Sequence, residues 1–175
     1  MKHIYFCLAI VSALMWPVAA ATTPSHTIAS SPLQQLDSNY FVAGQLTPAD
    51  VPALKAQGVQ VIVDMRPDGE APDQPTSAQM QQAAQQQGLA FFYIPIAHGA
   101  ITDESVGMLQ QVLAGKPGKV AAYCRSGKRA SRSYALALAS MKDGPSQAQI
   151  NQLLQASGHN IDDLQAEIAK RIAAR

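Results

Sequence analysis

Cysteine is almost missing from this sequence: its 175 residues carry two, Cys7 and Cys124. Cys7 lies in an N-terminal apolar run, so a chain that loses that run keeps one thiol and has no internal disulfide. No Cys/His cluster has metal-ligand spacing, so neither a metal nor a cofactor is expected. Charge of one sign is missing too. The 13 Lys and Arg are nearly level with the 12 Asp and Glu, and losing Lys2 with the leader makes them equal. Such a chain has no global basic surface for nucleic acid or an acidic membrane. The N-terminal apolar run, Ile4 to Trp16, is 13 residues long, short of the roughly 20 a membrane span needs. There is no internal repeat, and nothing in the sequence fixes an oligomeric state.

What is present begins with a leader. Lys2 and His3 precede the apolar run, and Pro17-Val18-Ala19-Ala20-Ala21 supplies small residues of the A-x-A type. Residues 1–21 therefore read as a cleaved signal peptide, which sends the chain to the periplasm or outside the cell with no stable membrane span. Residues 22–38, rich in Ser, Thr, Gln and Pro, read as a flexible lead-in. Residues 39–175 are long enough for a single domain with its own core. A lone thiol is a hazard in an oxidising compartment, and a working nucleophile is one reason to carry it.

Strand and helix signals alternate along that domain. Asn39 to Gly44 reads as a first strand. Thr47-Pro48-Ala49-Asp50 reads as a helix start, with Thr as N-cap, Pro at the first helical position and an acid three after the cap. Val59 to Met65 is a β-branched run suited to a central strand. Arg66 to Thr76 carries three prolines and a glycine and reads as a loop. A Gln-rich helix from Ser77, a strand from Leu89 to Ile96 and a helix capped by Thr102 follow. Lys119 to Tyr123 is the next strand, followed by a helix to about Met141 and two C-terminal helices, from Pro145 and from about Asp162. The fold class is α/β, with a mainly parallel central sheet flanked by helices, extra C-terminal helices, and sites at the carboxyl ends of the strands.

One stretch concentrates chemistry: Val120-Ala121-Ala122-Tyr123-Cys124-Arg125-Ser126-Gly127-Lys128-Arg129-Ala130-Ser131. It reads as strand, tight loop and helix. Loop amides and the helix N-terminus converge on an anion there. The same dipole and cations stabilise a thiolate at Cys124. Cys124 is thus a candidate nucleophile, and Arg129 is placed to return over it and offer a planar fork to an oxyanion. Arg125, Ser126, Gly127, Lys128 and Ala130 complete an anion-binding loop, with Arg125 and Lys128 equally suited to face outward. The expected ligand is a small anionic or phosphorylated molecule.

Four segments in order carry a resemblance: Gly44 to Asp50 (G-Q-L-T-P-A-D), Val61 to Glu70 (V-I-V-D-M-R-P-D-G-E), Phe92 to Ile96 (F-Y-I-P-I) and Tyr123 to Ser131 (Y-C-R-S-G-K-R-A-S). Together they resemble the phosphatase-like domain found in β-lactamase-hydrolase-like proteins, which is similar to the dual-specificity branch of the protein tyrosine phosphatase superfamily. The resemblance covers about Asn39 to Met141. It implies a phosphatase-like α/β fold and a cysteine-dependent hydrolase of phosphate esters with Cys124 as nucleophile. It also implies a general acid on a loop before the cysteine strand, for which Asp103 and His98 are the candidates. Asp64, Arg66 and Ser131 are candidate supports for the loop, and Glu70 is a weaker one.

The loop departs from that pattern. Cysteine phosphatases carry five residues between Cys and Arg; here that count ends on Ala130, and Arg129 comes one residue early. The six-residue loop Cys124 to Arg129 is also similar to that of rhodanese-type sulfurtransferases, in which a cysteine persulfide needs less room than phosphate. Persulfide transfer is therefore the alternative chemistry. An exported module that only binds an anion is a third reading, against which the intact thiol argues. Few aromatic residues lie near the loop, so a deep phosphotyrosine slot has no support.

Overall fold

The alternation of β-branched runs with capped helices produces three layers, helices on either side of one sheet. A computed structural model describes residues 33–98, 100–155 and 158–175. Its strands are β1 (Gln34–Gln35), β2 (Tyr40–Ala43), β3 (Val59–Asp64), β4 (Ala90–Tyr93) and β5 (Lys119–Tyr123). Its helices are α1 (Val51–Ala56), α2 (Ser77–Gln86), α3 (Asp103–Ala114), α4 (Lys128–Ala139), α5 (Gln147–Gln155) and α6 (Gln165–Ala174), with short 3-10 turns at Pro48–Asp50 and Asp162–Leu164. The expected leader over residues 1–21, and the lead-in as far as residue 32, lie outside the described residues.

The strand order is β1-β2-β5-β3-β4. β2, β5, β3 and β4 run parallel, and β1 is an antiparallel edge. Register aligns Ala43 with Tyr123, Tyr123 with Asp64, and Asp64 with Tyr93, so one row marks the carboxyl end of the parallel sheet. Cys124 follows Tyr123 at the middle of that row. Parallel strands joined by helical crossovers leave their carboxyl ends open to loops, and those loops build the site.

Successive side chains of a strand point to opposite faces. In β5, Val120 and Ala122 enter one core, while Ala121 and Tyr123 enter the other. Cys124 stays in phase with Val120 and Ala122, so its side chain lies on the α4 face and is buried among that core's residues. β3 divides in the same way, with Val61 and Val63 against the α4 side and Ile62 against α1 and α2. α4 is the central helix: residues 129–131, 133–137 and 139 are all buried. Its alanines allow α3, α5 and α6 to close around it, and Ile150, Leu154 and Ile168 complete that core.

Local chemistry fixes the ends. The Asp50 carboxylate accepts from both the backbone N–H and the hydroxyl of Thr47, at 2.7 and 2.8 Å. Thr76 and Gln79 cap α2 reciprocally, Gln79 N–H to Thr76 Oγ1 at 3.2 Å and Thr76 N–H to Gln79 Oε1 at 2.9 Å. Such caps contribute about 1 kcal/mol each. Two boundaries differ from expectation. Residues 33–38, expected within a flexible lead-in, supply strand β1 and the buried Leu36. A Gln pair carries no β signal; pairing with β2 makes it a strand. β4 ends at Tyr93 rather than Ile96, because Pro95 has no N–H. The flanking N–H groups still bond, Ile94 to Asp64 O at 2.8 Å and Ile96 to Met65 O at 3.2 Å. Among the described residues no helix is long and apolar enough to cross a membrane.

Candidate active site

The cysteine loop is held from its first residue to its last. Cys124 N–H donates to Ala43 O at 3.4 Å, and Gln45 N–H donates to Arg125 O at 3.3 Å. Ser126 bridges back to Gly44. Gly127 caps α4 with φ +85°, a left-handed conformation that favours glycine. A Cβ there would stand 3.3 Å from His159 Cε1 and 3.4 Å from Ala43 O, so the loop is pinched between the end of β2 and a C-terminal histidine. The α4 N-terminus opens directly on this loop, and its first-turn N–H groups have no carbonyl partners within the helix.

Cys124 is buried at 1% exposure and forms no disulfide. Arg125, Ser126 and Lys128 are exposed and face outward. Ala130, which occupies the position where a five-residue spacing would put arginine, sits in the first turn of α4 with its methyl in the core. It offers an anion nothing beyond its amide.

Arg129 turns the other way. It is 9% exposed. Its Nη1 donates to Ile96 O at 2.7 Å, and its Nη2 donates to both Glu70 oxygens at 2.9 and 2.8 Å. Arg66 reaches the same carboxylate, Nε to Glu70 Oε2 at 2.7 Å, and its Nη1 donates to Gln45 Oε1 at 2.6 Å. Two separate loops thereby fix the Arg129 guanidinium, and Gln45 on a third holds the Arg66 that shares Glu70. Burial opposes the Arg129 charge, but Glu70 and the adjacent Cys124 sulfur overcome it and hold the group above its ordinary pKa. Burial likewise opposes the Glu70 charge, and the two arginines win, holding its carboxyl below the usual range.

Asp64 is 2% exposed, and its Oδ1 accepts from the Arg66 backbone N–H at 2.9 Å. It therefore shapes the start of the Arg66 loop. Burial pushes its carboxyl up to about 6, and the Arg66 amide only partly opposes that shift. The neighbouring Tyr123 hydroxyl is buried without a hydrogen bond of good geometry, although the Asp64 charge lies close enough to perturb it. Ser131 is fully buried; its hydroxyl bonds Gly127 O at 3.1 Å and lies 2.9 Å from His159 Nδ1.

The two candidate acids separate. Asp103 is not brought to the loop. It starts α3 as an exposed residue paired with Arg171, whose guanidinium also bonds Ser140 at the far end of α4. An acid in a helix first turn is stabilised by the dipole and a nearby cation, and that is its role here. His98 is exposed in the turn two residues beyond Ile96, whose carbonyl anchors Arg129. Sequence reasoning ranked Glu70 low and missed Gln45, the Ile96 carbonyl and His159. Glu70 sits on a Pro/Gly-rich loop that the sequence does not orient. His159 carries no local signal at all. Among the described residues no group of three His, Cys, Asp or Glu is placed to hold a metal ion.

The model of one protein family, described as "Beta-lactamase hydrolase-like protein, phosphatase-like domain", matches residues 32–141. The Beta-lactamase hydrolase-like protein of Agrobacterium fabrum is 38% identical over 102 residues, which make up 58% of this chain and 24% of that protein. The chain thus spans about a quarter of the length of the curated relatives it matches. Among solved structures, a candidate phosphatase from Neisseria meningitidis Z2491 has a TM-score of 0.68 at 28% identity, covering 79% of this chain and 97% of that one. Kinase associated phosphatase, solved with serine in place of its catalytic-site cysteine, has a TM-score of 0.61 at 20% identity, covering 78% and 88%. At that identity the likeness is one of fold.

Proposed function

The chain belongs to the family of phosphatase-like domains of β-lactamase-hydrolase-like proteins, and from that premise we propose that it is an exported, cysteine-dependent hydrolase of phosphate esters. One observation carries this reading: a guanidinium clamped by Glu70 and Ile96 O lies beside a buried thiol, at the carboxyl end of the central strand and under a helix N-terminus. That arrangement suits an incoming dianion. The Cys124 thiolate attacks phosphorus, an S–P bond forms and the ester O–P bond breaks. The leaving oxygen takes a proton, for which His98 is the remaining candidate donor, or departs as a stable phenolate. Water then attacks phosphorus, and inorganic phosphate and the thiolate are released. Loop amides and Arg129 balance the charge on the equatorial oxygens throughout. Export rests on the leader pattern of residues 1–21.

The short loop favours one rival. With four residues between Cys124 and Arg129, the cradle is smaller than a five-residue one and suits a persulfide. The test is hydrolysis of a generic aryl phosphate by the protein and by Cys124→Ser. Turnover that disappears in the serine variant supports the hydrolase. Turnover that persists removes Cys124 from the reaction.

A further inference from the structure

The family match ends at residue 141, yet a side chain from beyond it reaches the cysteine loop. His159 lies in the segment between α5 and the 3-10 turn before α6. Its Nδ1 is 2.9 Å from Ser131 Oγ, its Cε1 faces Gly127, and the ring also interacts with the Ser126 backbone in a way that favours a ring N–H there. Ser131 has one hydroxyl hydrogen, and its oxygen lies 3.1 Å from the Gly127 carbonyl as well as 2.9 Å from Nδ1, so the two share it as partners. Burial holds the ring below its ordinary pKa, so it carries a single N–H, and the Ser131–Nδ1 hydrogen bond forms with the donor set by the tautomer. The ring thus ties three loop and helix positions, 126, 127 and 131, from outside the loop.

We infer that His159 is a positioning residue for the Cys124 loop, so that the C-terminal segment completes a site the family-matched region does not close by itself. The segment is itself anchored: Arg132 of α4 pairs with Asp163 and donates to Asn160 O at 3.3 Å. Ser126 and Gly127 are the residues whose amides must point inward for the cradle to hold an anion. A ring packed against Gly127 and bonded to Ser131 limits the rotation that would turn those amides away. Its contacts with Gly127 and Ser131 place its effect on the loop and the first turn of α4. This inference rests on the hydrolase reading only for its kinetic readout.

Three variants separate packing from hydrogen bonding. His159→Ala removes both, His159→Phe keeps a ring against Gly127, and His159→Asn keeps an amide that can donate or accept near the Nδ1 position. The expected result with an aryl phosphate is a kcat loss of about tenfold in Ala and Phe, the loss of one oriented hydrogen bond to a transition-state cradle. KM should change less than kcat, and Asn should recover most of the loss. Equal activity in all three variants overturns the inference. So does a loss that follows thermal stability alone, with Asn no better than Phe. A second readout needs no phosphatase activity: the pH dependence of Cys124 alkylation by iodoacetamide. His159→Ala should move its midpoint upward, because a loosened cradle stabilises the thiolate less. An unmoved midpoint contradicts the role of His159 even if the protein proves to be a sulfurtransferase. A moved midpoint without aryl phosphate turnover upholds it and removes the hydrolase reading instead.

Discussion

Arg129 and Glu70 are 59 positions apart in sequence, and a single nitrogen of the guanidinium donates to both oxygens of the carboxylate, at 2.9 and 2.8 Å. Arg66 shares that carboxylate. The pairing fixes the plane of Arg129 before any ligand arrives, which is the preorganisation an oxyanion site requires. Replacing Glu70 by Gln keeps the shape but removes the charge that holds two arginines. The expected outcome is a fall in kcat/KM of about 10- to 100-fold, with a loss of about 1–2 kcal/mol in stability for a partly exposed pair. Steady-state kinetics and thermal melts check it. A variant with normal kinetics means Arg129 is held well enough by Ile96 O alone.

The register of the loop is tested by comparing two arginines. Arg129 lies beside Cys124, whereas Arg132, one turn on in α4, is committed to Asp163. Arg129→Lys keeps the charge but loses the fork, and activity should drop about 100-fold. Arg132→Ala should change kcat/KM by no more than about threefold, since it loosens a partly exposed ion pair. Reversal of that order would mean that the loop closes on the other arginine.

Asp64 gives a prediction about pH. Its carboxyl is pushed up to about 6 by burial, above the ordinary value of about 3.9. The folded state therefore holds its proton more tightly than the unfolded state does. That contribution to stability is complete below about pH 4 and is lost as pH rises to about 6. Across two pH units the loss is about 3 kcal/mol. Asp64→Asn keeps an acceptor for the Arg66 amide and cannot ionise. Its melting temperature should exceed that of the unaltered protein at pH 7.5, and the advantage should vanish near pH 4. A constant difference across that range would mean that Asp64 stays charged when buried.

Much of the fold was legible because its signals are local. The β-branched run at Val59, the caps at Thr47 and Thr102, and the strand-loop-helix around Cys124 each depend on residues a few positions apart. The parallel sheet followed from their alternation. Less of the site was legible. Cys124 and Arg129 share one loop and stood out together. Glu70, Gln45 and Ile96 O act through a guanidinium that closes only in three dimensions, and a carbonyl leaves no trace in sequence. Asp103 met the expected interval for an acid, but a helix start and Arg171 explain it. β1 and His159 were invisible for the same reason: a Gln pair and a lone histidine acquire meaning only from the β2 edge and the loop they pack against.

The central claim is that Cys124 takes up phosphorus. Purified protein mixed with an aryl phosphate, quenched in acid within the first turnover and weighed intact, should gain the mass of one phosphoryl group on Cys124. Cys124→Ser should show no turnover. The same protein mixed with thiosulfate should gain no sulfur that cyanide can remove. A cyanide-labile sulfur adduct on Cys124, with no phosphoryl adduct and no aryl phosphate turnover, would contradict the account and identify the loop as a persulfide carrier.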